Sequence, residues 1–513
     1  MKRGFLKSQK ATTRPLGPSL GGTGTPATSW TDGHLAGSEP IVMRLPFEKL
    51  GKKVELPANA AKNTGHWSGR TVQPSEALSS TDYTLRLTRV PPFENAVEPT
   101  TECLFKNGVS EMLYKIPNFP HPLPRLPSAK PAFRLAESPG RGLGLFSTRV
   151  LKQGDAILVE RPLLITPAAY PSSTPNHYTL AQHFQHTLNE FERGVERVME
   201  GMEPKHKKAL MALYNSHTDD GSGPLVGRIR TNGIGVSELT PGKDDAASIH
   251  SATCELLSRL NHSCSPNTQP KFDLESFSFT LYAVRDIPEG DELTFQYIEA
   301  PKTTAERNKS LRPYGFQCSC SACNDPTSDT RRALVGKFSP TVSAWVHNRT
   351  LPDDWLINKC TELIELLETE GLEYVERYFM ATSAIMQSYI ALGDAEAAGK
   401  WAKRLTAITW APKHLVELFG GNRRLEAIAN AESGACEKDG LWRARVDENA
   451  QGEEAQMLKL IAELAGPDGM KVLEGGQGLF SFNAPAPGSD LEKRFKQFVE
   501  GKGLGDMMKE LKL

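Results

Sequence analysis

Four cysteines in two distant groups restrict the fold of this chain more than any other feature of its sequence. Cys264 lies within the segment N-H-S-C-S-P-N (residues 261–267), and Cys318, Cys320 and Cys323 form a C-x-C-x-x-C cluster. A closed structural zinc site takes four soft ligands in a tetrahedral arrangement, so the cluster is one thiolate short and Cys264 can complete it. One zinc ion would then tie together two segments that are far apart in the chain.

The alternative is that these four residues are ordinary thiols that share a region by accident. The C-x-C-x-x-C spacing alone leaves that alternative open, whereas the N-H-S-C segment upstream argues against it. Eight cysteines in 513 residues are too few for a secreted protein built on disulfides, and they suit a reducing compartment. The other four show no ligand spacing and are expected to be core or surface thiols: Cys103, Cys254, Cys360 and Cys436.

The two motifs together resemble those of the SET-domain protein lysine methyltransferases, which combine an N-H-S-C-x-P-N core with a post-SET cysteine cluster. The resemblance covers residues of about 130–325 and implies transfer of a methyl group from S-adenosylmethionine to the side-chain amine of a lysine in a protein, histone or non-histone. The order of the predicted elements, with a helical insertion and a helical C-terminal region, is similar to that of the SET-and-MYND subgroup. No C-x-x-C…C-x-x-C/H finger of a MYND module is present in the sequence, so the binding credited to that finger is not carried over.

The resemblance also implies a role for individual residues. Tyr297 ends the segment E-L-T-F-Q-Y and is the expected active-site hydroxyl, with Tyr314 as a second catalytic aromatic of the lysine channel. The residues expected to contact S-adenosylmethionine are Arg141, Gly142, Asn232, Asn261, His262 and Phe316. Taken one at a time, these residues have ordinary interpretations. Glycines serve hairpin turns, asparagine is common in turns, and buried aromatics usually fill a core.

The pattern of hydrophobic residues predicts an α+β fold. We expect a β-rich SET domain (β-clip-like) at 128–300 with a helical insertion at about 178–230, followed by a zinc-bound post-SET segment at 301–326. Residues 1–127 are expected to be an extension of largely low order, with one short strand at 83–88 and no chemistry of their own. Residues 330–513 are predicted to be helical, including an amphipathic segment at 491–513. One helix pair near residue 393 resembles a tetratricopeptide hairpin, and a plain helical bundle fits that pattern as well.

Composition narrows the class of partners. A net charge of -1 and a hydrophobic content of 39% are those of an ordinary globular protein, so direct nucleic-acid binding through bulk charge is not indicated. No apolar run is long enough to span a bilayer. We expect an intracellular protein of the nucleus or cytoplasm, whose partners are a lysine-bearing substrate and a protein bound by the helical C-terminal region. The first 31 residues have basic residues and no acidic ones, which fits a disordered tail or, less well, a mitochondrial transit peptide.

A different class of function also fits the sequence. SET scaffolds can lose activity and act as protein-interaction modules, here through the helical C-terminal region. Because the N-H and tyrosine elements are both present, the sequence favours the enzyme.

Overall fold

The computed structural model describes residues 98–447 except 107, 128–129, 173–176, 237–238, 240–248, 300 and 340, and before them residues 41–44, 49, 51–57, 67–68 and 85–92. The predictions for the basic N-terminus and for residues 491–513 lie outside the described residues. Within those residues the chain forms two compact units, the first ending at Asp325 and the second beginning at Pro326. In the described part, no helix has both the length and the apolar character needed to cross a membrane.

The first unit contains the β-strands. They are β1 (Ile41–Arg44), β2 (Trp67–Ser68), β3 (Leu85–Val90), β4 (Thr101–Lys106), β5 (Phe133–Ser138), β6 (Gly142–Ser147), β7 (Ala156–Glu160), β8 (Leu164–Pro167), β9 (Ala169–Ser172), β10 (Gly233–Val236), β11 (His250–Thr253), β12 (Asn261–His262), β13 (Thr268–Asp273), β14 (Ser278–Ala283) and β15 (Glu292–Phe295).

These strands form several small sheets. The largest has the order β10-β11-β8-β4-β3-β2, and the others are β12-β15-β6-β5, β13-β14-β7 and the pair β1-β9. Most pairs are antiparallel. The short pair β12–β15 is parallel and places Asn261 beside Thr294 and His262 beside Phe295. This pairing brings the N-H-S-C-S-P-N segment alongside the strand that leads to Tyr297.

Part of the N-terminal extension belongs to this unit and is more ordered than the sequence predicts. The strand expected at 83–88 is present as β3, which pairs along its whole length with β4. β4 also pairs in parallel with β8. Cys103, Leu104 and Phe105 of β4 are fully buried. The extension is ordered here because its apolar residues complete a sheet whose other strands lie further along the chain.

The helices of the first unit are α1 (Val109–Leu113), α2 (Leu180–Glu200), α3 (Pro204–Met211), α4 (Pro224–Asn232), α5 (Thr304–Leu311) and α6 (Ser321–Asn324). α2 begins at a capping box in which Thr179 and Gln182 satisfy each other's backbone N–H groups. Helices α2 to α4 lie where the helical insertion was expected. They bury Leu188, Phe191 and Val195 in a core shared with strand residues such as Leu104 and Leu164.

The second unit is helical over its described residues, as the sequence predicts. Its helices are α7 (Ser328–Val335), α8 (Val342–His347), α9 (Trp355–Glu370), α10 (Glu376–Leu392), α11 (Ala395–Thr406), α12 (Lys413–Leu418) and α13 (Gly421–Ala429). The expected break between α10 and α11 falls at Gly393, which has a φ of 81° that favours glycine. Asp394 then caps α11 by accepting the N–H of Ala397 at 2.9 Å.

Candidate functional site

The four cysteines predicted to bind a metal come together. Their sulfur atoms all lie within 4.8 Å of one another. The Sγ of Cys264, directly after β12, is 3.9 Å from the Sγ of Cys318 and 3.6 Å from that of Cys323. Four Zn–S bonds of about 2.3 Å in a tetrahedron place the sulfurs about 3.8 Å apart, so the spacing fits zinc. Four thiols complete the tetrahedron by themselves, and the site is therefore suited to a structural ion rather than to catalysis.

A buried arginine lies beside these sulfurs. Arg307 of α5 is fully buried, and its Nη2 donates to the carbonyl of Ala322 at 3.3 Å and to the Sγ of Cys323 at 3.6 Å. Four thiolates around a divalent ion carry a net negative charge, which a neighbouring guanidinium offsets. The sequence analysis missed Arg307, and no local motif marks it.

The N-H-S-C-S-P-N segment is fixed to β15 by its last residue. The Nδ2 of Asn267 donates to the carbonyl of Glu292 at 2.9 Å, and its Oδ1 accepts the backbone N–H of Thr294 at 2.8 Å. The side chain thus bonds to β15 as the backbone of a neighbouring strand would. This anchor explains why an asparagine ends the motif.

His262 connects the cysteine site to Tyr297. The backbone N–H of Tyr297 donates to the Nδ1 of His262 at 3.0 Å. Because Nδ1 is the acceptor of this bond, the neutral ring carries its hydrogen on Nε2. Nε2 lies 3.2 Å from the Sγ of Cys264 and is placed to donate to it. One imidazole therefore bonds to a predicted zinc ligand and to the backbone of the predicted catalytic residue.

The predicted channel aromatics form one cluster. The rings of Tyr297 and Tyr314 have centroids 4.9 Å apart, and the ring of Phe316 lies 6.1 Å from those of both Tyr314 and His262. Tyr297 and Tyr314 are buried. The hydroxyl of Tyr297 donates to the carbonyl of Leu260 at 2.5 Å. The cluster supplies apolar walls with a phenol oxygen held among them.

Arg141 and Asn261 meet at a carboxylate that the sequence analysis did not single out. Glu292, the first residue of β15, accepts from Asn261 Nδ2 at 2.6 Å and from the Nη2 of Arg141. Gly142 follows Arg141 as the first residue of β6 and has a φ of 71°, which favours glycine at this position. The segment G-D-E-L-T, whose glutamate begins a strand of alternating pattern, is the signal that could have identified Glu292.

Asn232 occupies a different position from the other predicted contacts. It is buried at the end of α4, and its Nδ2 donates to the carbonyls of Tyr214 and Arg228 at 2.7 and 2.8 Å. Its own carbonyl accepts from the Oγ of Ser258 at 2.9 Å, in the turn that precedes Asn261. The side chain therefore bonds within the helical insertion, and its link to the N-H segment runs through its backbone.

Comparison with known proteins agrees with this arrangement. A family model described as the SET domain matches residues 142–298. The chain therefore contains a SET domain, as the N-H-S-C-S-P-N motif and the cysteine cluster predicted. The observed layout of small sheets around the β12–β15 pair is that of the SET fold, followed by the helical second unit.

Curated relatives with this domain are lysine methyltransferases by name. "Histone-lysine N-methyltransferase set5" of Schizosaccharomyces pombe is 26% identical over 218 residues, which make up 41% of this chain and 58% of that protein. "Histone-lysine N-methyltransferase SMYD3" of Homo sapiens is 43% identical over 74 residues, or 14% of this chain and 17% of that protein. The chain thus spans less than two thirds of the length of either relative.

Among solved structures, "Crystal structure of the SET domain of LSMT bound to Lysine and AdoHcy" is 15% identical, covering 76% of this chain and 96% of that one with a TM-score of 0.21.

Proposed function

We propose that this chain is an S-adenosylmethionine-dependent protein-lysine N-methyltransferase. The observation that carries the proposal is the hydrogen bond from the backbone N–H of Tyr297 to His262, at 3.0 Å. It joins the expected active-site tyrosine to the N-H pair of the SET motif, whose other member, Asn261, lies beside Arg141 through their shared contact with Glu292. The names of the relatives support the same reaction class.

The aromatic cluster suits the substrate amine. A free lysine has a pKa near ~10.4, yet only the neutral amine can attack a methyl group, so the site must favour the neutral form. Walls built from Tyr297 and Tyr314 exclude water, and burial of this kind lowers the pKa of an amine. Because the Tyr297 hydroxyl donates its hydrogen to the carbonyl of Leu260, it would meet the amine as a hydrogen-bond acceptor. The phenol would thus orient the lysine without acting as a strong base.

The methyl donor would be held by residues that adjoin this aromatic cluster. When bound, S-adenosylmethionine supplies a methyl group on a positively charged sulfur. We assign its contacts to Arg141, Gly142, Asn261 and His262, with Phe316 closing the pocket. Asn232 would contribute from the edge of the helical insertion.

The cysteine site has a structural part in this proposal. Zinc bound by Cys264, Cys318, Cys320 and Cys323 would fix the post-SET segment that carries Tyr314 and Phe316 close to the N-H segment. The cluster would then form only in the metal-loaded chain.

Calorimetric titration of the zinc-loaded protein with S-adenosylmethionine tests the proposal. Asn261→Ala removes an amide of the assigned donor site, and Asn358→Ala removes an exposed amide of α9 as the matched control. We expect micromolar binding in the wild type and the control, loss of binding in Asn261→Ala, and transfer of labelled methyl to lysines of core histones or of another protein. A folded wild type with one zinc and no donor binding would contradict the enzyme and favour the interaction scaffold.

A further inference from the structure

Glu292 collects hydrogen bonds from three separate elements. Its Oε1 accepts from Asn261 of β12 at 2.6 Å, and its Oε2 accepts from the Oγ of Ser138, at the end of β5, at 3.1 Å. Arg141, in the turn between β5 and β6, forms an ion pair with the same Oε2. One carboxylate thus holds two of the assigned donor-site residues, Arg141 and Asn261, which lie far apart in the sequence.

The carboxylate is more buried than the arginine that it holds. The side chain of Glu292 is 11% exposed, whereas that of Arg141 is 41% exposed. Both carboxylate oxygens are already engaged by donors of this chain. Glu292 is therefore placed to hold Arg141 and the buried Asn261 rather than to bind a ligand itself.

A neighbouring glycine reserves the space for this contact. A Cβ added to Gly144 of β6 would lie 2.5 Å from the Oε1 of Glu292 and 3.0 Å from the Nδ2 of Asn261. Such a distance to the carboxylate oxygen is far below van der Waals contact, so an alanine would displace the carboxylate or the amide. The last glycine of G-R-G-L-G is thus required by the Glu292–Asn261 bond, whereas Gly142 is favoured by its backbone conformation.

We propose that Glu292 is a positioning residue of the S-adenosylmethionine site, acting through Arg141 and Asn261. The inference rests on the proposed function, because it assigns a support to the same donor site. Side chains that are fixed before a ligand arrives need not be ordered by it, and preorganisation of this kind raises affinity. Without the carboxylate, the long Arg141 side chain samples many rotamers and the Asn261 amide loses its strongest acceptor. Donor affinity then falls, while the lysine channel around Tyr297 is unchanged.

Glu292→Gln is the sharpest test because the side chain keeps its shape. An amide offers one acceptor oxygen and places an NH2 group against either Asn261 or Arg141, so one of the two is released. We expect the Kd for S-adenosylmethionine to rise at least about tenfold. At saturating donor, kcat and the KM for the protein substrate should stay within about threefold of the wild type. The matched control is Asp291→Asn, which changes the exposed carboxylate next to it.

Introducing Glu292→Gln into a second variant distinguishes a positioning role from a general effect on stability. In Arg141→Ala, where one of the supported side chains is gone, Glu292→Gln should weaken donor binding less than it does in the wild type. A residue that merely stabilises the fold would add the same penalty in both backgrounds. Thermal melting and zinc content identify the variants that remain folded.

The outcomes separate the two proposals. A wild type that binds no donor overturns the proposed function. A wild type that binds, together with a folded Glu292→Gln protein of unchanged Kd, overturns only the role of Glu292. If Glu292→Gln does not fold, Gly144→Ala takes its place with the same expected loss of affinity. If neither variant folds, Glu292 maintains the fold rather than the donor site, and the role proposed for it is overturned too.

Discussion

The hydroxyl of Tyr297 has its hydrogen committed to the carbonyl of Leu260, at 2.5 Å. A phenol in this position can accept a hydrogen bond from an amine, but it cannot donate one to it. This geometry distinguishes Tyr297 from the neighbouring Tyr314, whose ring lines the same cluster. At the scale of single residues, the direction of one hydrogen bond therefore supports the acceptor role proposed for Tyr297.

Tyr297→Phe should lower kcat on the order of a hundredfold, because the amine loses the oxygen that orients it. Donor affinity should change less than threefold, since the ring and the backbone bond to His262 remain. Transfer of labelled methyl to core histones measures the first quantity and calorimetry the second. Tyr170→Phe is the matched control. It also removes a buried hydroxyl that donates to a carbonyl, that of Glu190 at 3.4 Å. Wild-type turnover in a folded Tyr297→Phe protein would rule out the assigned role.

Glu376, in the first turn of α10, gives a second prediction at the residue scale. Its Oε1 is buried without a hydrogen-bond partner among the described residues, and burial raises the pKa of the carboxyl from 4.5 to about 7. A raised pKa means that the folded chain holds the proton more tightly than the unfolded chain does. Glu376 therefore stabilises the fold below pH 4.5, and this contribution is lost as the pH rises towards 7 and above.

Glu376→Gln removes this ionisation. Relative to the wild type, its free energy of unfolding should rise between pH 5 and pH 8 by at most about 3 kcal/mol, from a shift of this size at ~1.4 kcal/mol per pKa unit. Urea unfolding at a series of pH values measures the difference. Glu396→Gln, at an exposed carboxylate of α11, should show no such trend. A difference between Glu376→Gln and the wild type that does not vary with pH would refute the assignment.

At the scale of elements, the proposed zinc would fix the position of the post-SET segment. α6 is one turn long, which is too short to be stable by itself, and it carries Cys323 of the cysteine site. The α5 helix contributes Arg307 to the same place. The segment also reaches the hydrophobic core through Tyr314 and Ala322, and bound zinc would add to these contacts.

Cys320→Ser should therefore lower the zinc content well below one ion per chain. Residues 312–325 should then exchange their amide hydrogens faster, while β13 and β14 keep wild-type protection. Elemental analysis and hydrogen exchange give the two readouts. Cys360→Ala, which changes a buried thiol of α9 outside the cysteine site, should retain its zinc. Full zinc content in the serine variant would show that the four thiols do not act as one site.

Features encoded by local sequence patterns were predicted, whereas residues whose role depends on distant contacts were not. The cysteine spacing and the N-H-S-C-S-P-N motif are local patterns, and they identified the SET domain and the residues that the structure brings together. The helices of the insertion and of the second unit were predicted from their hydrophobic spacing. Glu292 and Arg307 were missed because their importance depends on partners that lie 16 to 151 residues away. The segment G-D-E-L-T marks Glu292 but not its distant partners, and no local motif marks Arg307.

At the scale of the whole molecule, the described strands β2 to β4 of the N-terminal extension belong to the largest sheet of the first unit. The expected domain boundary at residue 128 would leave out β3 and β4, although β4 lies between β3 and β8 in the largest sheet. The sequence did not reveal this, since β4 finds its neighbour β8 about sixty residues further on. A chain without β4 would lose Phe105, whose ring packs against Phe277 with centroids 6.4 Å apart.

A shortened chain that begins at residue 128 should accordingly fail to fold as a soluble, zinc-binding protein. In the full chain, Phe105→Ala should lower the free energy of unfolding by about 3–5 kcal/mol, since it empties a fully buried site. Leu135→Ala, at a leucine that is 44% exposed, should cost less than about 1 kcal/mol. Urea unfolding compares the two variants. A stable chain lacking the first 127 residues would show that the β3–β4 pair is dispensable.

The contacts at Glu292 and Asn261 also set the order in which the protein can assemble. Asn261 reaches the carbonyl of Leu143 across 118 residues, and Arg141 reaches Glu292 across 151. Closing such long loops is entropically costly, and it is rewarded only when both ends are in place. During synthesis, Arg141 leaves the ribosome long before Glu292, and the cysteine site is complete only after Cys323 has followed. The nascent chain therefore carries Arg141 without its carboxylate partner while the residues between them are made. The functional centre is the last part of the first unit to form.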